Sequence, residues 1–414
     1  SSMSNVYEIS AAGQGHRAAR QLRKPLSSRF LASITSMGSS LTSRKTGNAS
    51  ASTAEIANST APGVEAEAEE DEADAKRRKM GMFASMREGY EDLVKLMIRP
   101  PRAKYKVEDL GSKQFSMHGG RKFQRQDVQL KNKRNLALEG SWWQPLHPSR
   151  EQLPCVIYMH ANASCRVDAL EIMPLVLGMG ISLFSFDFAG CGLSEGEYIS
   201  LGYHEKDDLA TVIEYLRASG QVSTIALWGR SMGSVTALLH GHKDPSIAAM
   251  VLDGPFSSLD KLARELIDGA QLRYKPSTVV NGLLKMYRRT IKNRTGMDIC
   301  KLKPIEQVDT CFIPALFVVA TDDDFVRPHH AEAIYDRYAG DKNLVRVEGD
   351  HNSGRPKYFM DSAGIFLYDR VCVPAGLTEE NLGLRPNIAE ALPSYHVDDD
   401  SLLQQALLMS LAEK

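Results

Sequence analysis

Ser231 stands at the centre of Gly229-Arg230-Ser231-Met232-Gly233, between an apolar run rich in β-branched residues (222–228) and a segment that reads as a helix (234–240). A strand, a tight turn and a helix around Gly-x-Ser-x-Gly form the setting in which a serine is held out as a nucleophile. The glycines two positions to either side belong to that setting, because strand and helix pass within contact distance there. The helix that begins just after the serine aims N–H groups and its positive dipole end at the reacting centre. A serine hydroxyl is a weak nucleophile alone; it needs a base to take its proton and an acid to orient that base. In this arrangement the chain order is serine, acid, histidine. His351, in Glu348-Gly349-Asp350-His351-Asn352, follows the last strand-like segment and is the candidate base. His240 and His242 fall at the far end of the serine's own helix, and His329 and His330 read as capping or surface residues at the start of another.

The acid lies within Ala320-Thr321-Asp322-Asp323-Asp324-Phe325-Val326. Ala320 and Val326 bracket Asp323 in the expected register of small residue, acid and aliphatic, so Asp323 is preferred and Asp324 held in reserve. Two backbone donors should face the oxyanion, each worth roughly 3 kcal/mol of transition-state stabilisation. Met232 N–H supplies one by geometry. Asn162 N–H, in His160-Ala161-Asn162-Ala163 after the segment 156–160, is chosen as the other, with Ala161 required to keep a negative φ. Cys191 has no histidine placed to serve it and is not read as a nucleophile. This chemistry needs no metal and no organic cofactor.

The elements that must position these groups follow from 154 onward. Candidate strands at 156–160, 181–187, 223–228, 248–253, 313–320 and 343–348 alternate with candidate helices near 166–178, 204–218, 232–242, 329–339 and 355–369. Continuous apolar strands with helices between them imply an α/β fold with a mostly parallel central sheet covered on both faces. Residues 122–138 read as antiparallel strands joined by a polar turn. Residues 257–309 interrupt the alternation with a helical insertion carrying eleven Lys and Arg, from Lys261 to Lys303. Met82, Met86, Tyr90, Leu93, Val94 and Met97 fall on one helical side, a stripe suited to docking on the domain that follows.

The ends differ in character. Residues 1–80 are rich in Ser, Ala, Gly and Thr and read as disordered, and 373–396 reads as a linker. The stretch 17–45 is basic and poor in acid, which leaves mitochondrial targeting open, and Lys76-Arg77-Arg78-Lys79 does the same for nuclear targeting. The net charge of -1 gives no overall pull toward nucleic acid. Six cysteines lie far apart without a Cys-x-x-Cys pair, which disfavours a zinc site or disulfide framework and suits a reducing, cytoplasmic compartment. No apolar run reaches membrane-spanning length, although the methionine stripe leaves peripheral membrane contact open.

Between about 82 and 368 the chain resembles the α/β-hydrolase superfamily, in its serine-aminopeptidase-like branch and a plant- and protist-type subgroup. The likeness rests on Ile98-Arg99-Pro100-Pro101-Arg102, His160-Ala161-Asn162-Ala163-Ser164-Cys165-Arg166, Gly192-Leu193-Ser194-Glu195-Gly196, Leu227-Trp228-Gly229-Arg230-Ser231-Met232-Gly233, Asp322-Asp323-Asp324-Phe325 and Gly349-Asp350-His351-Asn352. Ala161 and Ala320 stand where such chains usually carry glycine. The resemblance implies a hydrolase domain over 81–372, with 257–309 as its lid. The tail 397–414 resembles a ubiquitin-interacting motif: aspartates at 398–400, then Leu403, Ala406, Ser410 and Glu413, the middle three on one helical face.

The sequence therefore leads to a serine hydrolase acting on an acyl ester or thioester. The basic lid favours an anionic substrate such as a phospholipid or an acyl-CoA, and the tail adds ubiquitin as a partner. The rival readings are a ubiquitin-binding adaptor built on an inactive hydrolase scaffold and a serine aminopeptidase-type peptidase.

Overall fold

A computed structural model describes residues 87–371, apart from 88–89, 93, 96, 118–119, 149–150 and 270–276. The expectations for 1–80, for Met82, Met86 and Leu93, and for the tail with Leu403, Ala406, Ser410 and Glu413 fall outside the described residues.

Nine strands form one sheet in the order β1-β2-β3-β5-β4-β6-β7-β8-β9. The first three, β1 (Gln114–Ser116), β2 (Lys122–Lys131) and β3 (Ala137–Pro145), run antiparallel. β3 joins β5 (Ser182–Phe186) antiparallel. From there β4 (Leu153–Met159), β6 (Val222–Arg230), β7 (Ala249–Asp253), β8 (Ala315–Ala320) and β9 (Lys342–Val347) are parallel neighbours. β4, β5, β7 and β8 are buried at every residue. A fully covered parallel sheet produces that pattern, and it explains why these strands read as unbroken apolar runs.

Side chains alternate between two cores, as strand geometry requires. Val156, Tyr158, Ala226, Trp228, Leu316 and Val318 share one with α1 (Met173–Gly178) and α7 (Lys357–Val371). Ile157, Leu227, Leu252 and Phe317 share the other with α2 (Glu205–Ala218), α3 (Met232–Gly241) and α6 (His329–Arg337). The segment between β7 and β8 enters that second core too. Its α4 (Leu259–Gly269) contributes Leu259 and Leu262, its α5 (Ser277–Thr295) contributes Tyr287 and Ile291, and Met297, Ile299 and Leu302 follow.

One expectation shifts and another holds. The helix expected over 166–178 is a 3-10 turn, Arg166–Glu171, followed by α1, with Pro174 in the first turn of α1. Proline donates no N–H and so fits a helix start, not an interior. The apolar stripe before residue 99 docks as anticipated, and against α5 in particular. Val94 and Ile98 are fully buried, the Tyr90 hydroxyl lies 2.6 Å from Thr290 Oγ1, and Arg294 grips both Glu91 oxygens at 2.8 Å.

Candidate active site

Because β6, β7, β8 and β9 are parallel, their carboxyl ends leave the sheet at one edge, where doubly wound sheets place their ligands. Ser231 follows β6, Asp253 ends β7, Asp323 follows β8 and His351 follows β9. Ser231 has φ 52° and ψ -111°, a backbone region that L residues rarely enter. Its N–H donates to Asp253 O at 2.7 Å, and its carbonyl accepts the first α3 bond, from Val235 N–H at 3.1 Å. The flanking glycines have a measurable reason. A Cβ on Gly229 would lie 2.3 Å from Gly233 C, and one on Gly233 would lie 2.2 Å from Met159 O.

The structure brings Ser231, His351 and Asp323 together. His351 Nε2 lies 2.9 Å from Ser231 Oγ, and His351 Nδ1 lies 2.6 Å from Asp323 Oδ2. All three are buried, with 6%, 9% and 5% exposure, while Asp322 and Asp324 on either side are exposed. Asp323 Oδ1 accepts N–H bonds from Phe325 at 3.0 Å and Val326 at 2.8 Å, which fix the carboxylate and leave Oδ2 for the imidazole. The His351 ring packs against Phe325, with centroids 5.2 Å apart, and faces Gly254. A serine hydroxyl, a buried imidazole and an oriented carboxylate in series can move a proton off the oxygen and hold it.

Met232 is the first residue of α3, so its N–H has no partner within the helix. Asn162 sits in a turn closed by Ser164 N–H to Ala161 O at 3.2 Å, directly beyond β4. Met159 pairs in register with Gly229, so this turn and the Ser231 turn leave the sheet side by side. Ala161 is absent from the residues of positive φ; Ala163 takes that conformation instead, at 63°. The His160 ring spans the floor between loops, with Nδ1 2.7 Å from Ala161 O and Nε2 accepting Phe188 N–H at 3.2 Å. Asp187 is the hub of the glycine-rich turn after β5. It accepts from Tyr105 Oη at 2.7 Å, Arg166 N–H at 2.7 Å and Leu193 N–H at 2.8 Å. Burial pushes the Cys191 thiol well above its ordinary value, which keeps it protonated and unreactive.

Three residues that matter here escaped the sequence reading. Arg355 binds Asp253 through Nε and Nη2, at 2.8 and 2.9 Å, with both side chains 3% exposed. It also donates to Ser353 O at 3.0 Å, so it ties the His351 loop to the end of β7. Arg230, one residue before the serine, donates to Ser353 O at 2.8 Å. Burial works against its charge, but Asp253, Tyr158 and Glu171 outweigh burial and hold the guanidinium above its ordinary value. An acid ending a wholly apolar strand, Asp253, was the available signal; the two arginines carry none that distinguishes them from surface cations.

A family model described as serine aminopeptidase, S33, matches residues 172–295. The uncharacterized protein YqkD of Bacillus subtilis is 30% identical over 201 residues, which cover 47% of this chain and 64% of that protein. Lysophosphatidylserine lipase ABHD12 of Danio rerio is 22% identical over 214 residues, 50% of this chain and 53% of that one. The chain thus spans less than two thirds of either relative's own length. Among solved structures, the esterase Pf2001 of Pyrococcus furiosus superposes with a TM-score of 0.50 at 21% identity, over 66% of this chain and 98% of that one. The chain has the α/β-hydrolase fold. The family match contains Ser231 and most of the α4–α5 segment but stops short of Asp323 and His351. Among the described residues no helix is long and apolar enough to cross a membrane.

The basic residues of the α4–α5 segment fall into two groups. Arg288 pairs with Asp298 and Lys303 with Glu306, whereas Lys261, Arg264, Lys285, Arg289 and Lys292 are exposed. Arg264, Lys285 and Arg288 line a cavity between α4 and α5 together with Asp260 and Cys300; Ser231, Asp323 and His351 do not line it.

Proposed function

We propose that the chain is a serine hydrolase that cleaves an acyl ester or thioester through Ser231, His351 and Asp323. The observation that carries this reading is the continuous buried series from Ser231 Oγ to His351 Nε2 at 2.9 Å and from His351 Nδ1 to Asp323 Oδ2 at 2.6 Å. His351 takes the Ser231 proton as the oxygen attacks the carbonyl carbon. Met232 N–H and Asn162 N–H hold the resulting oxyanion. The intermediate collapses, the carbon–oxygen or carbon–sulfur bond breaks, and the imidazolium returns its proton to the departing alcohol or thiol. Water, deprotonated by the same imidazole, then releases the acid and restores Ser231.

The exposed cations of the α4–α5 lid favour an anionic substrate, a phospholipid or an acyl-CoA. They weigh against an aminopeptidase, which must receive a cationic amine. The name of the Danio rerio relative, a lysophosphatidylserine lipase, points the same way. Ser231→Ala should abolish labelling by a fluorophosphonate probe and turnover of short p-nitrophenyl esters; undiminished labelling sinks the assignment. In the domain reading, 81–372 carries this activity and the segment 397–414 binds ubiquitin through Leu403, Ala406, Ser410 and Glu413. Deleting 397–414 should remove ubiquitin capture and leave ester turnover unchanged. Ubiquitin capture with no turnover of any ester would instead favour an adaptor.

A further inference from the structure

His330 is not the capping or surface residue its position suggested: it is fully buried, at 0% exposure. It begins α6 beside His329, and both rings turn toward Glu265 of α4, 64 residues earlier. The two imidazoles stack, with centroids 4.5 Å apart and planes at 28°, which sets their outer nitrogens side by side. His329 Nε2 lies 3.0 Å from Glu265 Oε1, and His330 Nε2 lies 3.3 Å from Glu265 Oε2. The last two atoms are buried, and neither has a hydrogen-bond partner. A buried carboxylate oxygen facing a buried ring nitrogen at this distance is costly unless something positive lies between them.

We propose that Glu265, His329 and His330 bind a divalent transition-metal ion of the zinc class. His329 Nε2, His330 Nε2 and one Glu265 oxygen would be its protein ligands. Two histidines and a carboxylate are a recurrent zinc donor set, with water completing the shell. Bonds near 2.1 Å at tetrahedral angles put neighbouring donors about 3.4 Å apart. The nitrogen–oxygen separations here, each to a different Glu265 oxygen, are 3.0 and 3.3 Å, and the donor atoms of the three residues all lie within 4.8 Å of one another. A ligating histidine ordinarily donates its other ring N–H to a fixed acceptor. Ser257 Oγ stands 2.8 Å from His330 Nδ1 and fits that part. The Ser257 N–H also points at Nδ1, at 3.3 Å, so the ion would select between two ring tautomers that the apo cluster leaves in competition. His329 is 41% exposed at its side chain, which gives an ion and its water a way in. The ion would join the lid helix α4 to α6, the helix that follows the Asp323 loop.

The test uses the full chain, stripped with chelator and titrated with Zn2+, with Co2+ as the spectroscopic probe. Wild type should take up one equivalent that His329→Ala and Glu265→Gln each fail to bind, and it should give the intense visible bands of four-coordinate Co2+. His329→Ala changes a half-exposed side chain, and circular dichroism checks that both variants keep the fold. Ser257→Ala should weaken binding by about 10- to 100-fold without abolishing it. Zn2+ should raise the Tm of wild type and leave that of His329→Ala unmoved. No saturable uptake by wild type, or uptake that both variants retain in full, overturns the proposal and leaves the cluster a carboxylate–imidazole ion pair.

Discussion

At the scale of single residues, the acid is the position where neighbours compete. Asp322, Asp323 and Asp324 are adjacent, but only Asp323 is buried and touches the imidazole. Asp323→Asn should lower kcat by roughly 10^4-fold while leaving KM near its original value, because the amide cannot hold the imidazole in the same tautomer. Asp324→Asn should change kcat by less than about twofold; steady-state kinetics on one ester compares the two. The register of Ala320 and Val326 made this choice legible because Ala320 closes β8 and Val326 returns the loop to the core, with Asp323 midway between them. The left-handed alanine was not legible: the sequence drew attention to Ala161, whereas the turn that closes on Ala161 O puts Ala163 in that conformation. Asp208 offers a test by pH. Burial first, then the neighbouring Glu205, push its carboxyl up to about 6. An unfolded aspartate titrates near 3.9. Between about pH 4 and 6 the folded chain therefore holds the proton more tightly, and the stability this group contributes falls as pH rises through that window. Relative to Asp208→Asn, wild type should lose stability from pH 4 to pH 6 and change little above it, as read by denaturant unfolding.

At the scale of elements, the site depends on how two loops are fastened to neighbouring strand ends. Arg355 and Asp253 form a buried ion pair with two hydrogen bonds. Arg355→Ala removes both hydrogen bonds from the buried Asp253 carboxylate and leaves it only the longer contact with Arg230 Nε at 3.9 Å, so it should cost up to roughly 3–5 kcal/mol in denaturant unfolding. Gly233→Ala should be at least as disruptive, since its Cβ would meet the Met159 carbonyl and separate α3 from β4. The strands from 156 through β8 were legible because a sheet covered on both faces writes itself as apolar runs, and the edge strand β9 by its position after α6. The three-residue β1 was not, because its residues are mostly exposed and carry no alternation long enough to see. The break between Arg166–Glu171 and α1 had a visible cause in Pro174, yet periodicity alone ran through it. Long-range pairs such as Arg355 with Asp253, 102 residues apart, leave no local trace in composition or period.

At the scale of the whole molecule, the helical residues before 99 and the α4–α5 segment belong to the same core as the sheet. Ile98→Ala should cost about 2–5 kcal/mol, the range for deleting a buried aliphatic chain. Glu91→Gln should cost less than about 1 kcal/mol, because its pair with Arg294 is partly exposed to water. Denaturant unfolding of the two variants separates packing from charge at one interface. The larger consequence concerns how a reactant reaches Ser231. Tyr287, Ile291, Met297, Ile299 and Leu302 are each at least 95% shielded, and burying such a side chain is worth roughly 1.5–3 kcal/mol. Peeling all five away together would expend about as much free energy as a domain has in total. On the proposed reading of this segment as a lid, opening it as one rigid piece would cost free energy of that order. Amides of 287–302 should then exchange with deuterium about as slowly as those of β7, and on that reading the passage to the serine forms by small rearrangements among side chains that stay in place.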